Sequence, residues 1–248
     1  MRTPTGHMQR STALWVAACA VIAASAVLRA APSGEFGARP GPHFFSRVEQ
    51  PLREYHAFRY MHAYCENQKH EAWMEARTEL KDGQFSYQIV AESGSEAIRG
   101  RVLRALLERE QELMKKGDAS RGDLTAENYE FSEGGRDEDG AHVVQIKPRR
   151  SDVMLVDGRA VLNDNGDLLR VEGKLSKNPS FWTSLVNIVR RYGRVAGVRV
   201  PIASQTSAKV KFVGNAQLDV DYDYQSVNGR PVAFSERRLA ELSRTVAR

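Results

Sequence analysis

The chain has 248 residues, 42% of them hydrophobic and 27% charged, with 36 basic against 31 acidic residues. That is enough apolar chain for a full core, as one large domain or two small ones, and it excludes collagen-like, disordered and disulfide-rich material. Arg2, Arg10 and Arg29 are the only charged residues in the first 31 positions; without them the balance is 33 to 31, so the basic composition is no nucleic-acid signal.

Arg2 and Arg10 precede an uncharged run from Ala13 to Leu28, 16 residues long. This is short for a membrane span and, with small residues at its end, reads as a secretory signal over 1–31, cleaved after Ala26, Ala30 or Ala31. Translation starts at Met1 or Met8, and an uncleaved anchor is the competing reading. Cys19 fits a short lipoprotein pattern, but nine more apolar or small residues follow it, which argues against lipid attachment there. Export to the periplasm or medium would leave Cys65 as the single cysteine, with no internal disulfide and a small apolar strand residue as its reading. Residues 32–43 are a Pro- and Gly-rich linker, 44–235 a folded domain and 236–248 a polar tail. Phe44, Phe45, Val48 and Leu52 predict one amphipathic helical turn stopped near Pro51. In the tail, Arg237, Arg238, Arg244 and Arg248 are interrupted by Glu236 and Glu241, as on a solvated helix.

From Tyr55 the apolar period becomes two. A hairpin turn at Asp82-Gly83 sets Leu80 against Phe85, Thr78 against Tyr87, Ala76 against Ile89 and Met74 against Ala91. A loop at Asn67-Gln68 sets Ala63 against Ala72, Met61 against Met74, Arg59 against Ala76 and Ala57 against Thr78. Asn165-Gly166 pairs Leu162 with Leu169 and Ala160 with Val171. Asp157-Gly158, taken as a turn, pairs Leu155 with Ala160 and Val153 with Leu162. A loop over 214–216 pairs Phe212 with Leu218, Val210 with Val220 and Ala208 with Tyr222, with Lys211 meeting Asp219 and Lys209 meeting Asp221 on the other face. Further strands are predicted at 127–132, 141–148, 181–192 and 197–203.

One helix interrupts the strands. Ser95 is its N-cap, Ile98, Val102, Leu106 and Leu113 form its apolar side, broadened by Leu103 and Leu107, and Lys115-Lys116-Gly117 ends it. Residues 133–140 are a polar loop. The predicted architecture is mainly antiparallel β (α+β): a curled half-barrel of roughly ten to eleven strands, with one long helix on its inner face.

No motif of catalysis, nucleotide binding or metal binding is present: GxSxG, HExxH, a P-loop and GxGxxG before a helix are all missing. His56 and His62 are about 20 Å apart along one strand, too far to share a metal, and His62 is expected outside, opposite Trp73. Asp219, Asp221 and Asp223 are spread along one strand face and read as a charge-paired surface. Arg59 is the residue of interest, because it falls in the inward row. A charge there needs an acceptor or a wet cavity, unless the side chain reaches the rim. The candidate lining of such a cavity is Arg59, Met61, Met74, Ala76, Ile89, Leu106, Leu162 and Val171, with Arg59 donating to carbonyl, ester or carboxylate oxygens.

The segments Asp167-Leu-Leu-Arg-Val-Glu-Gly173 and Tyr192-Gly-Arg-Val-Ala-Gly-Val-Arg-Val-Pro201, the latter leading into Ala208-Lys-Val-Lys-Phe212, resemble strands of the bacterial lipoprotein-sorting carriers of the LolA/LolB-like fold. The likeness covers 153–227; 55–116 agrees only in the order of elements. The resemblance implies an incomplete barrel plugged by helices, a cavity that shields acyl chains and an inward arginine on an early strand, which Arg59 matches. Residues 95–150 form a longer insertion than the family pattern. The expected function is an exported binding module for a lipid, acylated protein or similar amphiphile, without cofactor, nucleic acid or catalysis. A sensory or scaffolding module that binds envelope proteins is the alternative, and a hydrolase assembled from dispersed residues is a third.

Overall fold

The computed structural model describes residues 50–66, 70–178, 181, 183–211 and 214–233. The expected signal, linker and polar tail lie outside them, as do Phe44, Phe45 and Val48. Leu52 lies in irregular chain and packs against the core.

Runs of period-two alternation become strands, because alternate side chains of a pleated strand emerge on opposite faces. Three come first: β1 (Tyr55–Cys65), β2 (His70–Lys81) and β3 (Gln84–Gly94). Helix α1 follows over 96–116, and then β4 (Tyr129–Arg136), β5 (His142–Pro148), β6 (Val156–Leu162), β7 (Leu168–Leu175), β8 (Thr183–Val195), β9 (Val198–Val210), β10 (Gly214–Val227) and the two-residue β11 (Arg230–Pro231). They form a single sheet of 11 strands in the order β3-β2-β1-β10-β9-β8-β7-β6-β5-β4, with β11 on β10. Every pairing is antiparallel. The sheet curls without closing, as the sequence predicts. The first hairpins join the rest through β1 and β10, so β3 and β4 are left as edges with α1 linking them in the chain.

The β1–β2 register agrees with the sequence at every position tested: Ala63 with Ala72, Met61 with Met74, Arg59 with Ala76, Ala57 with Thr78. At Asp82-Gly83 both φ angles are positive, 51° and 76°, which is a type I′ turn matched to the twist of the strands. From it Leu80 pairs with Phe85, Thr78 with Tyr87 and Ala76 with Ile89. A bulge at Val90 then slips the ladder, so Met74 pairs with Glu92 and not Ala91.

Three further pairings depart from expectation. Leu162 faces Leu168 across a bulge, although Ala160 does face Val171. Residues 214–216 are not a loop but the start of β10, and β9 ends at Val210. Val210 therefore pairs with Gly214, Ala208 with Ala216, Thr206 with Leu218 and Ser204 with Val220. Lys209 stands beside Asn215, while Asp219 and Asp221 face Gln205 and Ala203, so the proposed Lys–Asp ladder does not form. Finally, Asp157-Gly158 is no turn but lies inside β6, with Gly158 opposite Gly173 of β7. A Cβ added at Gly158 would stand 2.1 Å from the Glu172 carbonyl oxygen, and one at Gly173 would stand 2.3 Å from that of Asp157. The glycine serves close backbone approach, a role that composition alone does not separate from a turn.

Helix α1 is built of Glu96–Ile98, a π-helical stretch Arg99–Arg104 and a regular stretch Ala105–Lys116. Ser95 occupies the N-cap position, but its hydroxyl makes no capping hydrogen bond; its carbonyl accepts from the Arg99 N–H at 2.9 Å. Gly117 ends the helix with φ 71°, its N–H reaching the Leu113 and Met114 carbonyls. The buried residues of α1 are Ile98, Val102, Leu103, Leu106, Leu107, Glu110 and Leu113. All of them except Glu110 and Leu113 belong to one apolar cluster fed by the strands, so the helix sits on the sheet.

Because backbone lies where a methyl group would go, Gly158→Ala is expected to cost about 1–3 kcal/mol. Denaturant unfolding followed by circular dichroism checks this; an unchanged midpoint would contradict the close approach of β6 and β7.

Candidate functional site

Of the residues that the sequence assigned to one surface, Arg59, Met61, Met74, Ala76, Leu106, Leu162 and Val171 are all buried, and Ile89 is half-buried. The seven apolar ones belong to or pack on the single core cluster, Leu106 from the helix and the others from the sheet. The surface they define is occupied by α1.

Arg59 does point inward, with only 2% of it exposed. Its acceptor is the protein's own: Nη1 and Nη2 donate to the two carboxylate oxygens of Glu110 on α1, at 2.5 and 2.9 Å. Nη2 also donates to the Tyr55 hydroxyl at 2.7 Å. The guanidinium carbon also lies 4.9 Å from the ring centroids of both Phe85 and Tyr222. The sheet register explains the second ring, since Tyr222 is the β10 partner of Arg59. Tyr55 is four residues back on the same strand face. Only Nε is left without a hydrogen-bond partner among the described residues.

Burial works against the charge of Arg59, but the Glu110 carboxylate outweighs it and lifts the guanidinium well above its ordinary range. Burial likewise raises the Tyr55 hydroxyl, despite the opposing pull of Arg59, so that hydroxyl stays protonated at neutral pH. Glu110 escaped the sequence reading, which followed the apolar positions of α1. The signal was there: Leu103, Leu106, Leu107, Glu110 and Leu113 share one stripe, and an acid inside such a stripe needs a buried partner. A second inward arginine, Arg190 of β8, also went unnoticed; it is 2% exposed.

The other candidates disperse. His62 stacks on Trp73 on the outer side, centroids 4.7 Å apart, and lies 3.4 Å from Glu71. His56 contacts Glu79 at 3.1 Å. Among the described residues no three His, Cys, Asp or Glu side chains gather to hold a metal ion. Cys65 is fully buried. No helix of the described residues is long and apolar enough to cross a membrane.

The fold and site together define an open antiparallel half-barrel whose concave face is covered by one helix, pinned through a buried ion pair. No family model and no curated protein matches the chain. Among solved structures it is similar to the crystal structure of a LolA superfamily protein from Nitrosomonas europaea, with a TM-score of 0.35 and 11% identity, over 77% of this chain and 93% of that one.

Removing one member of a buried pair strands the other charge. Arg59→Leu and Glu110→Leu are each expected to destabilise by about 3–5 kcal/mol, and the double substitution by far less than their sum. A double-mutant cycle from chemical denaturation checks this; additive losses would contradict the pairing.

Proposed function

We propose that the chain is an exported binding module that takes a lipid, an acylated protein or a similar amphiphile between helix α1 and the concave sheet, without catalysis. The observation that carries this reading is the asymmetry of the Arg59 site. Tyr55, Phe85 and Tyr222, which hold the guanidinium in place, all belong to the sheet, and Glu110 alone belongs to the helix. When α1 lifts, Arg59 stays oriented, and the two donors that faced Glu110 are open at the floor of an apolar surface. A planar guanidinium in that state suits the oxygens of an ester, carbonyl or carboxylate.

The energetics favour a removable cover over a permanent one. A buried ion pair is about break-even against a well-packed apolar contact, so it holds the helix in one position without holding it as strongly as an oily seam would. The π-helical stretch at the start of α1 is a common companion of functional sites and places a non-standard segment where a lid would bend. Met61, Met74 and the small Ala57, Ala63, Ala72 and Ala76 floor the space beneath, and methionine adapts readily to varied acyl shapes.

A protein-binding role in the envelope draws instead on the exposed Trp73 and Val90, 43% and 51% accessible, near the β3 edge. The test separates the two. Extraction and mass spectrometry of the purified protein are expected to yield a co-purifying amphiphile, and cis-parinaric acid is expected to fluoresce on binding, with Arg59→Leu weakening it by about tenfold or more. Absence of both a co-purifying molecule and probe binding would overturn the reading.

A further inference from the structure

Arg190 is a second guanidinium on the concave face, 2% exposed, and it differs from Arg59 in how few of its donors are used. Along β8, Val186, Ile188, Arg190 and Tyr192 are buried while Asn187 and Arg191 are exposed, so its side chain shares the apolar inward row. Ser204 faces it from β9 and Val171 from β7. Its Nε and Nη1 are buried and have no hydrogen-bond partner among the described residues. Three tyrosines, Tyr129, Tyr192 and Tyr222, lie within electrostatic reach. The Tyr192 hydroxyl is buried beside Arg190, and the buried Asp123 carboxylate lies within electrostatic reach of the same hydroxyl. Tyr222 is the ring that covers Arg59, so the two guanidiniums have a common neighbour.

An inward cation with orphaned donors is among the costliest arrangements in a protein interior. Burial raises all three tyrosine hydroxyls, that of Tyr129 to about 12, so none supplies a negative charge at neutral pH. The one buried acid of α1, Glu110, is committed to Arg59. The buried Nε and Nη1 are therefore open to an acceptor that the described residues do not supply. We propose that Arg190 binds the oxyanion group, carboxylate or phosphate, of the guest, which makes the preferred ligand an anionic amphiphile. The inference rests on the amphiphile-binding reading and narrows it. Arg190 would hold the acidic group through its unpartnered Nε and Nη1 donors, while the acyl chain runs along the Ile188 and Val171 side of the same row.

The test compares cis-parinaric acid, its methyl ester and inorganic phosphate on the wild-type protein, Arg190→Gln and Arg190→Met. The wild type is expected to prefer the acid over the ester by about tenfold or more. Both variants are expected to lose that preference and keep their affinity for the ester. Since Nε and Nη1 are unpartnered in the empty protein, neither variant should lower the unfolding midpoint, which a purely structural arginine would do. Equal wild-type binding of acid and ester, or a preference that survives both substitutions, overturns the proposal and leaves amphiphile binding standing. Failure of the wild type to bind either probe overturns the amphiphile reading; if phosphate then binds in an Arg190-dependent manner, the oxyanion site stands with a free anion as its source.

Discussion

The bidentate contact between Arg59 and Glu110 decides how the helix and the sheet belong together. It is the buried point where α1 meets the inward row of β1 with directional bonds; Arg99 and Arg104 on Glu92 and Gln111 on the Phe85 carbonyl add half-buried contacts to β3, and the rest is apolar packing that tolerates sliding. Such packing is non-directional, whereas a fork of two N–H donors on one carboxylate has a single good geometry. The pair therefore selects one seat for the helix out of many of similar oily area. Because both charges leave water to make it, the selection adds little net stability. A cover that is well placed yet weakly held is what a container needs.

The sheet gives that interaction its setting. Antiparallel neighbours run without a break from β3 to β4, and the edges do not meet. A sheet this wide must twist and curl, so one face becomes concave and gathers every inward row. The helix, inserted in the chain between the two edge strands, covers that face. Joining β1 to β10 brings the first hairpin against the last strands, and this is how Tyr222, far along the chain, comes to lie over Arg59.

Much of this was legible from residues alone, and the failures have physical reasons. Strand rows and the Asp82-Gly83 turn could be read because two faces and a turn must agree at once, and Arg59 was placed inward on that basis. Bulges at Val90 and beside Leu162 shift the ladder by one residue without altering the apolar pattern, so they leave no trace in sequence. Gly158 looked like a turn because close backbone approach and a turn demand the same residue. The β9–β10 turn was misplaced because apolar residues alternate through it in either register. At the site, Arg59 was found and its partner was not: α1 was read for its oily stripe alone, which leaves Glu110 out. Arg190 was hidden among Arg191, Arg194 and Arg199, whose charges are normal on the outer face of a strand.

Native-state amide hydrogen exchange across 96–116 bears most directly on the claim that α1 is a lid. If the helix lifts as a unit, its amides should exchange through an opening well below the global unfolding free energy. They should exchange faster still in Glu110→Gln, while β1 and β8 stay protected in both proteins. Helix amides that exchange only together with the central strands, and stay so when Glu110 is replaced, would mean that α1 is a fixed part of the core.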